Sequence, residues 1–186
     1  EGYQEFLKTN EMTEEYLKEA IKKDYIINHY IDKNVETLTP SDDELKKLFE
    51  EQKMGQKVKA SHILVATEDE ANKVIDRLNK GEAFETVAKE VSTDTGSGAN
   101  GGDLGFFSYT DMVKEFSNAA FSMNVGDVSG AVKSQYGYHI IKITDKQTDD
   151  TVTYENSKES LTETFKNKKY EELIENLKKN AEIVKK

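Results

Sequence analysis

The sequence predicts an α+β fold: a small sheet with helices packed on it, set as an insertion between two helical chain ends. Three observations carry that prediction. Apolar residues recur at three- and four-residue steps near both termini. Two β-rich strings, "KVKASHILV" and "YGYHIIKIT", occupy the middle. Between them lie helical segments and one loop rich in glycine and serine, an order that suits a compact domain with its helices on a small sheet.

Element by element, Leu17, Ala20, Ile21, Ile27 and Ile31 mark an amphipathic helix from Thr13 to Val35, interrupted by Asp24 and Asn28. Ser41 with Glu44 forms a capping box for a shorter helix carrying Leu45, Leu48 and Phe49 and stopping near Gly55. The first strand runs from Lys57 to Val65. Thr67 with Glu70 then starts a helix whose apolar positions are Ala71, Val74, Ile75 and Leu78, and Gly81 ends it. Phe84, Val87, Ala88 and Val91 mark another helix. After the glycine-rich loop come a short helix at 111–121, a turn at "NVGD" and the last strand. From Gln147 to Thr153 the chain is polar, and from Asn156 onward Leu161, Phe165, Tyr170, Leu173, Ile174 and Leu177 restore the helical period. Neither helical end is long enough for its own core, so the simplest arrangement joins 1–55 and 147–186 around an inserted domain at 56–146.

Composition narrows the function. Of 186 residues, 26 are basic and 36 acidic, and the formal charge of −10 argues against a surface made to neutralise phosphates, hence against nucleic acid as a partner. No run is long and apolar enough to span a membrane. The absence of cysteine removes disulfides, thiolate catalysis and cysteine zinc sites together. His29, His62 and His139 are the only side chains that ordinarily titrate near neutrality.

The loop "TGSGANGGDLGFF" contains Gly96-x-Gly98-x-x-Gly101, the spacing of a dinucleotide-binding turn. That motif needs a hydrophobic strand before the glycines and a helix opening on them. Here a helical segment precedes and further glycines follow, so the spacing is a coincidence of composition. The three histidines lack metal-ligand spacing, and no G-x-S-x-G elbow supports a serine hydrolase, so neither metal nor cofactor is expected. His29 reads as a solvated or packing residue. Alternation puts His62 on one strand face with Ala60 and Leu64, and His139 with Ile141. A lone strand histidine is usually a satisfied core residue, but two in the first and last strands of a small sheet suggest a shared site. Met112 and Phe116, spaced i, i+4, are core residues by default; with Leu104, Phe106 and Phe107 they also suit the lining of a shallow apolar pocket.

Five blocks, "ASHILV", "FETVAKEVSTD", "GGDLGFF", "EFSNAAFSMNVGDVSGAV" and "YGYHIIKI", in this order, resemble the parvulin-type peptidyl-prolyl isomerases over residues 57–145. More loosely, the helical flanks are similar to those of PrsA-type extracytoplasmic foldases and SurA-type chaperones, in which both chain ends build a chaperone domain around a parvulin insertion. The resemblance implies a four-stranded antiparallel or mixed sheet with surrounding helices, and Gly102-Asp103-Leu104-Gly105 as a shaped connection into the pocket wall. It places the family's paired histidines on His62 and His139, its polar Asp-or-Cys position on Asp94 and its hydroxyl before the last strand on Ser134. The apolar cup for the proline ring falls on Leu104, Met112 and Phe116, with Phe107 and Phe121 supporting it. The basic loop of phosphate-directed parvulins is replaced by the acidic "ILVATEDEANK", so no phosphate before proline is expected.

The implied activity is non-covalent cis/trans isomerisation of X-Pro bonds in unfolded or partly folded secreted proteins. The alternative is a holdase whose parvulin domain binds peptide with little catalysis. The resemblance further implies a lipoprotein at the outer face of the cytoplasmic membrane of a Gram-positive bacterium, held there through a lipid anchor. This chain carries neither signal peptide nor anchoring cysteine, and its start at "EGYQEF" reads as lacking the first part of the helical domain. Helix faces left without partners would then admit a homodimer through that domain.

Overall fold

The computed structural model describes residues 2–180; Glu1 and residues 181–186 of the expected helical ends lie outside the described residues. The α+β class holds: a four-stranded sheet, with helices on both of its faces, lies between helical chain ends. The chain divides into two compact units, 1–45 with 158–186, and 46–157.

The helical unit opens with α1 (Gly2–Thr9), which the sequence reading did not anticipate because two turns are too short to show a period. Helix α2 (Glu14–Ile31) starts where expected: the Thr13 hydroxyl accepts the Tyr16 N–H at 3.1 Å. Its last turn widens into π-helical geometry over Asp32–Glu36. The apolar positions of this amphipathic helix are left without cover: none of its residues is buried, and Ile21 and Ile27 are 59% and 54% exposed. Periodicity shows which side chains share a face, not whether anything covers it. Helix α3 (Asp42–Glu51) begins in the Ser41–Glu44 box, with Glu44 Oε2 accepting the Ser41 N–H at 2.9 Å.

The central unit runs β1 (Gln56–Val65), α4 (Glu68–Asn79), α5 (Phe84–Val91), the single turn α6 (Thr95–Gly98), β2 (Asp103–Ser108), α7 (Lys114–Ser122), β3 (Val132–Ser134) and β4 (Gly137–Thr148). Helix α8 (Tyr154–Asn180) follows and returns to the helical unit, where Lys166 pairs with Glu36 at 2.9 Å and Lys158 with Asp42 at 3.3 Å.

The sheet is antiparallel throughout, in the order β2-β1-β4-β3. Hydrophobic pattern found only its two central strands. β2 contains Gly105 and β3 is three residues long, so both owe their conformation to pairing with a stronger neighbour. Helices α4 and α5 cover one face around Ile63, Val65, Val74, Phe84, Val87 and Ile140. Helix α7 covers the other, where Phe107, Phe116 and Ala120 meet Val58, Ala60, Ile141 and Ile143. With both faces covered, odd and even residues of β1 are buried alike, and polar side chains on its inner stretch must find partners.

Candidate active site

Strand register makes the site. His62 pairs with Ile141 and Leu64 with His139, so the two histidines are diagonal neighbours on adjacent strands, on the face covered by α7. Their Nδ1 atoms lie 3.2 Å apart and their rings stack at a 5.4 Å centroid distance. Phe116 stands nearly perpendicular to both, at 5.7 Å from His62 and 5.3 Å from His139. Both imidazoles are buried.

Backbone stitching brings the other polar groups to them. The Thr93 N–H and hydroxyl both donate to the Leu64 carbonyl, at 2.8 and 3.0 Å, and the Leu64 N–H donates to Ser92 Oγ at 3.2 Å. The chain leaving α5 is thereby fastened to β1 two residues from His62. Asp94 then caps α6, its Oδ1 accepting the Gly96 N–H at 3.1 Å, while Oδ2 lies 2.7 Å from His62 Nε2. The glycine-rich loop closes against the same strand. The Gly102 carbonyl accepts the His62 N–H at 2.8 Å, and its own N–H donates to the Ser97 carbonyl at 2.8 Å. A Cβ at Gly102 would lie 2.2 Å from the His62 carbonyl oxygen, and φ there is +82°, so the loop needs glycine to approach this closely. Close backbone packing accounts for the glycine at this position.

At the other end, Ser134 Oγ lies 2.7 Å from His139 Nε2 and accepts the Tyr136 N–H at 3.1 Å. Proton positions follow from these partners. An ionised carboxylate only accepts, so His62 carries its proton on Nε2. In a neutral ring Nδ1 is then an acceptor and takes the His139 Nδ1–H; His139 Nε2 in turn accepts the Ser134 hydroxyl. With both rings neutral, the hydrogen bonds run in one direction from Ser134 to Asp94. The hydrogen bond from Ser97, then that from His62, hold the Asp94 carboxyl down at about 2 against an ordinary 3.8. Burial, reinforced by the neighbouring His62, lowers His139 from 6.5 to about 4. Among the described residues no group of three or more His, Asp or Glu side chains could hold a metal ion.

Beside this chain, half-buried Leu104 from β2 and Met112 pack around buried Phe107 and Phe116. Asp111 Oδ2 accepts the Ser108 N–H at 2.7 Å and shapes the tight turn that delivers Met112. Phe121 stacks edge-on against Phe107 at 6.1 Å and Tyr109 at 5.4 Å. All nine residues singled out from sequence lie in the central unit, with the four polar ones in a single hydrogen-bonded row. Sequence reasoning missed Ser97, whose hydroxyl donates to Asp94 Oδ2 at 2.6 Å and lies 3.1 Å from His62 Nε2. Its signal was the i, i+3 spacing from a capping aspartate.

The family model for the PPIC-type PPIase domain matches residues 44–147. A foldase protein PrsA of Clostridium tetani is 40% identical over 193 residues, covering 97% of this chain and 56% of the relative. One of Geobacillus kaustophilus is 44% identical over 146 residues, covering 78% and 50%. The chain thus spans about half the length of the curated relatives it matches. The crystal structure of the peptidylprolyl isomerase PrsA from Bacillus anthracis superposes with a TM-score of 0.70 at 32% identity, covering 98% of this chain and 82% of that one. With a family match over more than half of the chain and a solved relative covered over most of its length, the chain belongs to the PPIC-type peptidyl-prolyl isomerase family, in its PrsA-like group.

Proposed function

We propose that residues 56–146, within the central unit, form a prolyl cis/trans isomerase domain, and that segments 1–55 and 147–186 form a chaperone domain around it. The observation that carries the reading is the hydrogen-bonded row Asp94–His62–His139–Ser134, its two histidines buried, beside the apolar cluster of Leu104, Met112, Phe107 and Phe116. Rotation about an X-Pro bond breaks amide resonance against a barrier of about 18–20 kcal/mol, with no covalent bond made or broken. Leu104, Met112 and Phe116 grip the proline ring, with Phe107 and Phe121 behind them. The polar row fixes the cup floor and its local polarity, favouring the twisted amide over either planar form. A hundred-thousandfold acceleration requires about 7 kcal/mol of such differential stabilisation. No nucleophile is assigned.

The substrates are unfolded or partly folded secreted proteins, and the place of action is the outer face of a Gram-positive cytoplasmic membrane, reached through a lipid anchor. The foldase names of the matched relatives support this reading. Exposed Tyr16, Ile21, Tyr25, Ile26, Ile27 and Tyr30 on α2 support a chaperone role for the helical unit, and the same exposed side chains admit a homodimer, which sedimentation decides.

A cis/trans assay on peptides varying the residue before proline tests the isomerase. Wild type accelerates exchange, without need of phosphate, and His62→Ala and Met112→Ala each slow it while the fold persists. Unchanged rates in both variants would remove the cup assignment, and an inactive, folded wild type would leave a peptide-binding holdase.

A further inference from the structure

We infer that Ser97 is a positioning residue of the isomerase site, locking the Asp94 carboxylate onto His62 so that the histidine pair keeps one proton arrangement. The inference rests on the isomerase reading above and extends it by one residue.

A buried hydroxyl costs stability unless bonded, and Ser97 is only 8% exposed. Among the described residues its hydroxyl has two partners, Asp94 Oδ2 at 2.6 Å and His62 Nε2 at 3.1 Å. Packing alone would be met by alanine. The two Asp94 oxygens have separate tasks: Oδ1 caps the α6 turn through Gly96, leaving Oδ2 to face His62. Without the serine, Oδ2 is held by His62 alone. The carboxylate then keeps only the Gly96 N–H on Oδ1 and the His62 Nε2–H on Oδ2, so its place against His62 is less firmly set. The Ser97 hydrogen bond is also the largest influence keeping Asp94 ionised. The titratable groups acting on that carboxylate are His62 from β1 and, behind it, His139 from β4.

The test uses the full chain carrying Ser97→Ala, with Ser97→Thr as the conservative rescue. Ser97→Cys, similar in volume but a weak donor, replaces the alanine variant if that one unfolds. The Asp94 carboxyl carbon is titrated by NMR and isomerase kinetics are measured in parallel. The expected result is an Asp94 midpoint about one pH unit higher and a kcat lowered roughly three- to tenfold at unchanged KM, with both restored by threonine. A folded variant with unaltered Asp94 titration overturns the inference, as does a loss of rate without that shift, which marks a merely structural serine. If wild type itself shows no isomerase activity, the isomerase reading falls, whereas the titration still decides whether Ser97 sets the carboxylate.

Discussion

The central sheet and helix α2 carry the same kinds of apolar side chain and treat them in opposite ways. In the central unit Ile63, Ile140, Ile141 and Ile143 are fully buried between α7 on one side and α4 with α5 on the other. In the helical unit α2 buries nothing, and its Tyr16 and Tyr25 are 63% and 71% exposed. A sheet covered on both faces creates a dry, fixed environment, and such an environment can hold two histidines and an aspartate in one geometry. A helix with an open apolar stripe fixes no such geometry but offers surface to other chains. On the proposed reading, that difference separates chemistry from capture within one polypeptide.

The sharpest way to break that contrast is Gly102→Ala. A φ of +82° and a Cβ within 2.2 Å of the His62 carbonyl leave no room for adjustment. The expected loss is at least about 3 kcal/mol in urea unfolding of the central unit. A variant as stable as wild type would show that the loop does not press on β1.

Acid is the next probe. His139 is neutral in the folded state down to about 4, whereas the unfolded chain takes up its proton near 6.5. Between those values the unfolded state binds more protons, so stability falls with falling pH, by at most about 3 kcal/mol. Asp94 adds a second loss in the same direction: its contribution is complete above 3.8 and disappears as pH falls through about 2. Denaturant unfolding at pH 7 and 4.5, followed by resonances of each unit, is expected to show the central unit weakening first. The helical unit holds one histidine, exposed His29, stacked on Tyr25. Equal acid sensitivity would remove the distinction.

Smaller effects sharpen it. Thr67 caps α4 in a complete capping box, and Thr67→Ala is expected to cost the central unit about 1 kcal/mol. Denaturant midpoints followed in that unit measure the loss. The least effect on stability belongs to Ile27→Ser on α2, within about 0.5 kcal/mol, with isomerase rate unchanged. The readout for that variant is suppression of aggregation of an unfolded protein, expected to weaken. No change in that assay would deny the exposed stripe a part in capture.

Much of the fold was legible because its signals are local. Thr13, Ser41 and Thr67 announced helix starts, and each does accept or exchange the hydrogen bonds of a cap. β1 and β4 were visible as β-rich strings with alternation, which grouped His62 with Ala60 and Leu64 and His139 with Ile141; that α7 covers this side is seen only in the structure. β2 and β3 were not, since a glycine-bearing or three-residue strand has no pattern of its own and is held by its partner. Of the polar row, His62 and His139 were marked by interrupting apolar strands, whereas Asp94 and Ser134 came only through resemblance to a family. Ser97 lay unmarked in a glycine-rich loop.

By itself, then, the sequence determined the helix caps, the two central strands, the face each histidine occupies and the absence of cysteine chemistry, because these follow from neighbours along the chain. The tertiary structure alone decided that residues 77 apart meet at 3.2 Å, that Ser97 closes on Asp94 and that α2 remains uncovered. Those outcomes depend on strand register, on one glycine's close approach and on which surfaces come to face each other. Such contacts join residues distant in sequence, and no local pattern encodes them.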